Sequence, residues 1–297
     1  MSTVDDLLHG SIDMHCHAYP EFSLEFPNRF SNKDNIRMMR EAGMAGVVLK
    51  SHLWPPIVTA YALEQEFPGF AVVSSVTLNT STGGLAPWAV ESAAKQGAKV
   101  VWLPTWSASN DLRRGGISKQ IASYIGSMKA IQEADGLSLL DDKGKVLKPV
   151  YEILALCKEY ELMLCTGHIS IDESLALAKA ARQEGFFRLA FTHPDSHSIG
   201  AQRKQMLAMA ELGSYIEICA LGLTPIYQRI TPQEFVEIIH AVGTERCFLS
   251  TDYFFEWSPP IPELMRLLMH ALLHAGATAE EIRAMSHDIP QFLLSMR

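Results

Sequence analysis

Along this chain, short runs of crowded apolar residues alternate with longer stretches whose apolar positions recur every three or four residues. The short runs are rich in β-branched residues and predict strands at SIDMHCH, AGVVLKS, FAVVSSVTL, KVVWLPT, LMLCTGH, RLAFTHP, YIEICAL and CFLSTDY. Helical patterns follow them, at KDNIRMMREAG, PIVTAYALEQEF, PWAVESAAKQGA, KPVYEILALCKEYE, IDESLALAKAARQEG, AQRKQMLAMAELG, TPQEFVEIIHAVG and IPELMRLLMHALLHAG. Several close on glycine, the residue that best tolerates the left-handed turn ending a helix. Eight strand-helix pairs predict an α/β fold of the (β/α)8 TIM-barrel type, as one domain over residues 1–297. An open doubly wound sheet is the alternative, but no Gly-x-Gly-x-x-Gly turn follows the first strand.

One connection is long. After the fourth strand, residues from about 106 to 147 carry a helical stretch, SKQIASYIGSMKAI, and a hairpin pattern, LSLLDDKGKVLK, with Asp-Lys-Gly at its turn. In a barrel this insertion lies over the catalytic face, as a lid.

Placed on that scaffold, the histidines become informative. Strand side chains alternate, so His15 and His17 project to one side and Cys16 to the other. His168 ends the fifth strand, His193 the sixth and Asp252 the eighth, which is where a barrel of this kind carries its chemistry. Imidazoles with a carboxylate suit zinc, manganese or iron and leave a coordination position for water. Lys50 and His52 share a side at the end of the second strand, and a lysine in a barrel mouth is costly unless paired or chemically used. Asp13 shares the parity of the two histidines but lies deeper, which predicts a buried hydrogen-bonding role. Trp54, Trp106, Arg113, Arg114, Tyr253, Phe254 and Trp257 fall on catalytic-face loops. There the aromatics would wall an apolar pocket and the arginines grip an anionic group. Asp195 and His197 read as solvated loop residues, and His240, His270, His274 and His287 as structural.

The order HCH, TGH, FTHP and STDY at the first, fifth, sixth and eighth strand ends resembles the amidohydrolase superfamily of metal-dependent barrels, over nearly the whole chain. The resemblance implies that His15, His17 and Asp252 hold a first divalent metal. It implies that His168 and His193 hold a second one, or else that His168 joins the first and His193 contacts substrate or water. It also makes Asp252 the proton shuttle and His193 a second catalytic group. One departure stands out, because the fourth strand, KVVWLPTW, ends in neither the carboxylated lysine nor the glutamate that bridges two metals in binuclear members. Lys50 is the replacement candidate. Its competing readings are a pair with Glu217 and a point charge for an anionic substrate. Glu217 itself is a candidate partner for Lys50 or for a metal-bound histidine.

The expected activity is hydrolysis of a C–N or C–O bond (amide, lactam, lactone or ester) in a small molecule. A mononuclear decarboxylase or hydratase, a phosphoesterase, and a non-enzymatic metal- or metabolite-binding barrel are the alternatives. Composition narrows the partners. A net charge of −8 with no long basic run argues against nucleic acid and anionic membranes. No basic-then-apolar leader or membrane-length apolar stretch is evident, and the five cysteines sit mostly in apolar segments. Both features point to a cytoplasmic protein with free thiols. The apolar helix IPELMRLLMHALLHAG leaves a second copy of the chain open as a partner.

Overall fold

The computed structural model describes residues 3–132 and 135–296. Its parallel strands are β1 (Ile12–His17), β2 (Gly46–Lys50), β3 (Ala71–Val73), β4 (Ser75–Thr77), β5 (Val100–Trp102), β6 (Met163–Cys165), β7 (Leu189–Phe191), β8 (Tyr215–Cys219) and β9 (Cys247–Ser250). β3 and β4 are two halves of one stave, interrupted at Ser74, so nine segments make the eight predicted positions. Across the interruption the ladder is replaced by hydroxyls, with Ser75 Oγ donating to Leu49 O (2.7 Å) and Thr77 Oγ1 to Ser51 O (2.6 Å). Past the end of β9 the chain returns to β1. Asp252 N donates to His15 O (2.8 Å) and His17 N to Tyr253 O (2.9 Å), which closes the barrel.

The helices predicted after the strands all form, from Asn32–Glu41 to Ile261–His274. Alternation sorts each strand's side chains. Val101, Leu164, Phe191 and Leu249 pack outward under the helices, whereas Val48, Trp102, Cys165 and Phe248 fill the barrel. β1 breaks this rule. Its pairing runs Asp13↔Val47 and then Cys16↔Leu49, one residue more on β1 than on β2. This bulge resets the alternation, so that Met14 stays in the barrel core while Cys16 turns outward and both histidines face the mouth. Simple parity along β1 therefore does not hold. Asp13 nevertheless has its expected role, accepting from Thr251 N, Thr251 Oγ1 and His15 N beside the closing seam.

The insertion folds as helices Ser109–Arg114 and Ile117–Tyr124, a short turn at Gly126–Met128, and a segment closed by an antiparallel bridge between Leu140 and Val146. One capping residue ties this hairpin to the barrel. Glu173, in the first turn of helix Ile171–Gln183, completes a capping box with Ser170 and also accepts from Leu139 N (2.8 Å) and Ser138 Oγ (2.9 Å).

Helix Val4–Leu8 and the last helical turns, from Ala279 to Leu293, are additions that the strand-helix pattern does not predict. His287 joins them. Its Nε2 bonds His9 O at 2.7 Å, its Nδ1 bonds Ser286 Oγ at 2.8 Å, and burial lowers its pKa from the ordinary value. The folded state thus binds fewer protons than the unfolded chain just below pH 6.5, and stability must fall as pH drops through that window. We expect the stability advantage of the wild type over His287→Asn, measured by urea denaturation, to be larger at neutral pH than at about pH 5.5. An advantage independent of pH would contradict this account.

Candidate active site

The strand ends bring a buried polar cluster to the mouth of the barrel. His15, His17, Lys50, His52, Glu217 and Asp252 are all buried, at a depth where charged groups need partners. Glu217, from β8, is the central acceptor. Its Oε1 takes His15 Nδ1 (2.8 Å) and Ser250 Oγ (2.6 Å), and its Oε2 takes the amide of His193 (2.5 Å). A carboxylate on Nδ1 fixes the tautomer and turns the Nε2 lone pair of His15 into the site.

There the geometry is unusual. His15 Nε2 lies 3.1 Å and His17 Nε2 3.2 Å from the same oxygen, Asp252 Oδ1. Burial holds His15 well below the ordinary imidazole pKa. With its Nδ1 proton already given to Glu217, Nε2 has none to offer Asp252. The donor to Nε2 is the Lys50 ammonium at 2.9 Å, so the contact between Nε2 and Asp252 Oδ1 sets two electron pairs against each other. A tetrahedral ion with bonds of about 2.0–2.1 Å spaces its ligand atoms about 3.3–3.4 Å apart, close to the 3.1 and 3.2 Å between Asp252 Oδ1 and the two imidazoles. Their chemistry and spacing fit a divalent metal, and His15, His17 and Asp252 are within 4.8 Å of one another. Burial alone would raise the Asp252 carboxyl, but His15, His17 and Lys50 around it hold it well below the usual carboxylate range. Asp252 (φ 50°) and His193 (φ 26°) both occupy the left-handed region, so backbone strain is concentrated at two strand ends of this site.

Lys50 does not pair with Glu217. Its Nζ sits 2.9 Å from His15 Nε2 and 4.7 Å from the centre of the Trp102 ring, and it makes no ion pair among the described residues. Burial lowers its pKa against the pull of Asp252, Glu217 and Glu21. Trp102 fills the end of the stave that lacks an acidic or lysine ligand, its ring 4.5 Å from that of His15 and tilted 39° to it.

His168 and His193 stand back from the trio. Their rings are 5.0 Å apart, and among the described residues no three-donor group within 4.8 Å includes either. The two rings are as close to each other as those of His15 and His17, at 5.5 Å, but among the described residues they bring no third protein donor with them. His168 Nδ1 instead bonds Asp111 Oδ2 at 2.7 Å, leaving Nε2 toward the pocket. Asp111 belongs to the insertion, whose Asn110 also donates to His168 O (3.0 Å) and Ser198 O (2.8 Å). His193 pairs with Ser196 Oγ (3.1 Å), and burial pushes its pKa down to about 3.

Above these groups lies a pocket of about 260 Å³, walled by Ile117, Leu221, Tyr227, Phe254 and Phe255 and roofed on one side by Gly115 to Gln120 of the insertion. The lid expectation is met in this sense. Several predicted lining residues are elsewhere. Trp54 is 68% exposed on a separate groove with Trp88, and Trp106 is buried with its Nε1 on His52 O. Tyr253 follows the left-handed Asp252, so its ring turns outward into the helix-facing core. Arg113 and Arg114 are exposed outside the pocket lining, and Arg114 binds His197 O (2.8 Å). Trp257 stacks on Phe255 at the rim. His52 does line the pocket, with Nδ1 on Thr105 Oγ1 (2.8 Å). Asp195 is buried rather than solvated, its pKa raised by burial to about 7.

Sequence reading missed Glu21, Asp111 and Ser196. Glu21 stands four residues after His17, the one local signal that pointed to it. Asp111 lies in a helix of the insertion and contacts His168 only through the tertiary fold.

A model of family DUF6282, described as a family of unknown function, matches residues 10–217. No curated protein matches the chain in sequence. Solved structures share its fold at low identity. An amidohydrolase from Pseudomonas aeruginosa is 12% identical, with 99% of this chain and 98% of that one aligned and a TM-score of 0.66. The probable dipeptidase PvdM from Pseudomonas aeruginosa is 11% identical over 99% and 97%, also with a TM-score of 0.66. A 2,6-dihydroxybenzoate decarboxylase from Rhizobium is 11% identical over 97% and 99%, with a TM-score of 0.59.

Glu217→Gln tests the central acceptor. An amide nitrogen cannot accept from His15 Nδ1 or from the His193 amide, so a stability loss of about 1–3 kcal/mol is expected. Metal affinity should fall about 10–100-fold. Unchanged values in denaturation and in metal titration would show that Glu217 does not set the geometry.

Proposed function

Because the chain belongs to DUF6282, a family whose function is unknown, we propose its activity from the site itself: metal-dependent hydrolysis of a C–N or C–O bond in a small molecule. The carrying observation is the meeting of His15 Nε2 and His17 Nε2 on one oxygen of Asp252, at the floor of an open pocket. Two imidazoles and a carboxylate favour zinc, with manganese or iron as substitutes. Such an ion would supply the acidity that makes water a nucleophile near neutral pH and polarises a carbonyl.

The side chains supply the rest. Asp252, kept ionised by its neighbours, accepts the proton of the attacking water and passes it to the leaving group. His193, neutral across the physiological range, and His168, oriented by Asp111, face the substrate. Ile117, Leu221, Phe254 and Phe255 give the substrate an apolar or aromatic seat and exclude water. Lys50 shares the lone pair of His15 with any ion bound there. It must swing aside or be carboxylated when the metal is in place, and in the second state it would carry a carboxylate into the site.

Two alternatives lose support on the same geometry. Decarboxylation with an arginine grip and phosphoester hydrolysis both looked to Arg113 and Arg114, which do not line the pocket. A purely structural metal site is closed by protein ligands, whereas this one opens into a cavity. No described helix is long and apolar enough to cross a membrane. Five free, buried cysteines support a reducing compartment such as the cytoplasm.

Asp252→Asn is expected to lower turnover of a responsive ester, lactone or amide by at least about 10²-fold, with a chelator abolishing activity in the wild type. Full turnover in the variant, or in metal-free protein, would overturn the proposal.

A further inference from the structure

A second group of donors meets on the far side of His17. Glu21 follows β1 and its side chain is fully buried (0% exposed). Its Oε1 accepts the backbone N–H of His52 and lies 3.4 Å from His17 Nδ1. That separation is longer than a good hydrogen bond, and His17 Nδ1 is left buried without a partner. Glu21 Oε2 is likewise buried and unpartnered. His52 lies with its ring centre 4.7 Å from that of His17, its Nδ1 anchored on Thr105 and its Nε2 unused. One donor atom from each of His17, Glu21 and His52 falls within 4.8 Å of the others.

Buried polar atoms nearly always find partners, and a buried carboxylate needs a cation. Here Glu21, Glu217 and Asp252 surround one ammonium, Lys50, which already rests on His15. The 3.4 Å between Glu21 Oε1 and His17 Nδ1 is the edge of a tetrahedron with bonds of about 2.1 Å, too long for a hydrogen bond but right for two ligands of one ion.

We propose that His17, Glu21 and His52 form a second divalent-metal site, with the imidazole of His17 between two ions. The inference rests on the first site proposed above, since Nε2 of His17 serves that ion and Nδ1 the second. Taking the second ion costs His17 its remaining ring proton, which is released to solvent. Of the three residues, His17 and His52 line the pocket and Glu21 lies behind them.

The test is Co²⁺ binding to chelator-stripped protein, read as ions retained per chain and by the visible absorption of the bound ion. The wild type should retain two, and Glu21→Gln and His52→Asn one each. Asp252→Asn should keep the Glu21-side ion and lose the other. His52→Asn leaves the backbone bond to Glu21 intact, so it reports even if Glu21→Gln fails to fold, and circular dichroism identifies that failure. A wild type that retains a single ion, lost in Asp252→Asn and kept in Glu21→Gln, overturns the second site and leaves the first standing. An altered affinity in Glu21→Gln without a change in stoichiometry makes Glu21 a positioning residue for His17 and also overturns it. Binding of no ion by the wild type overturns both.

Discussion

Everything at the mouth of the barrel depends on the seam between its first and last staves. The bond from Asp252 N to His15 O, at 2.8 Å, and its neighbour from His17 N to Tyr253 O, at 2.9 Å, close the sheet. The same two bonds set the Asp252 carboxylate against both imidazoles of β1. Asp13 locks the seam from below by accepting from the backbone and hydroxyl of Thr251. Closure of the fold and assembly of the site are thus one event. A left-handed backbone at Asp252 is tolerated because the surrounding bonds over-determine it.

Around that seam, most histidines have one ring nitrogen fixed by a polar partner. Glu217 holds His15, Asp111 holds His168, Thr105 holds His52 and Ser196 holds His193. Fixing one nitrogen fixes the tautomer and aim of the other, which keeps a buried cluster of imidazoles from collapsing into random pairing. His17 is the exception, and its unsatisfied nitrogen faces Glu21. Because Asp111 comes from the insertion, the loop that roofs the pocket also orients a group on its floor. Two neighbours in the insertion make that link, Asp111 at the ring and Asn110 at the backbone carbonyl of His168.

The strands and their helices were legible because period-two and period-3.6 patterns are local properties of a chain that must bury one face of each element. His15, His17, His168, His193 and Asp252 were legible for a related reason: each ends an apolar run, and in a barrel the carboxyl ends of all strands meet. The predicted walls were less so. Trp54, Trp106 and Tyr253 are on catalytic-face segments, yet the local backbone direction sends one to a surface groove and two into packed interiors. Glu21 and Asp111 left almost no signal, since an acidic residue in a loop is ordinary until a fold brings a histidine to it.

The barrel, the order of its staves and the strand-end donors His15, His17, His168, His193 and Asp252 were all written in the local pattern of the chain. These follow from hydrophobic burial and from the fixed direction of parallel strands. Which donors share an ion-sized space follows from long-range packing instead, as do the placements of Glu21 and Asp111. The β1 bulge is one residue of register, Asp252 turns on a backbone in the left-handed region, and Lys50 reaches to within 2.9 Å of His15 Nε2. Ligand spacing is sensitive to placements of that kind, and the hydrophobic pattern is not.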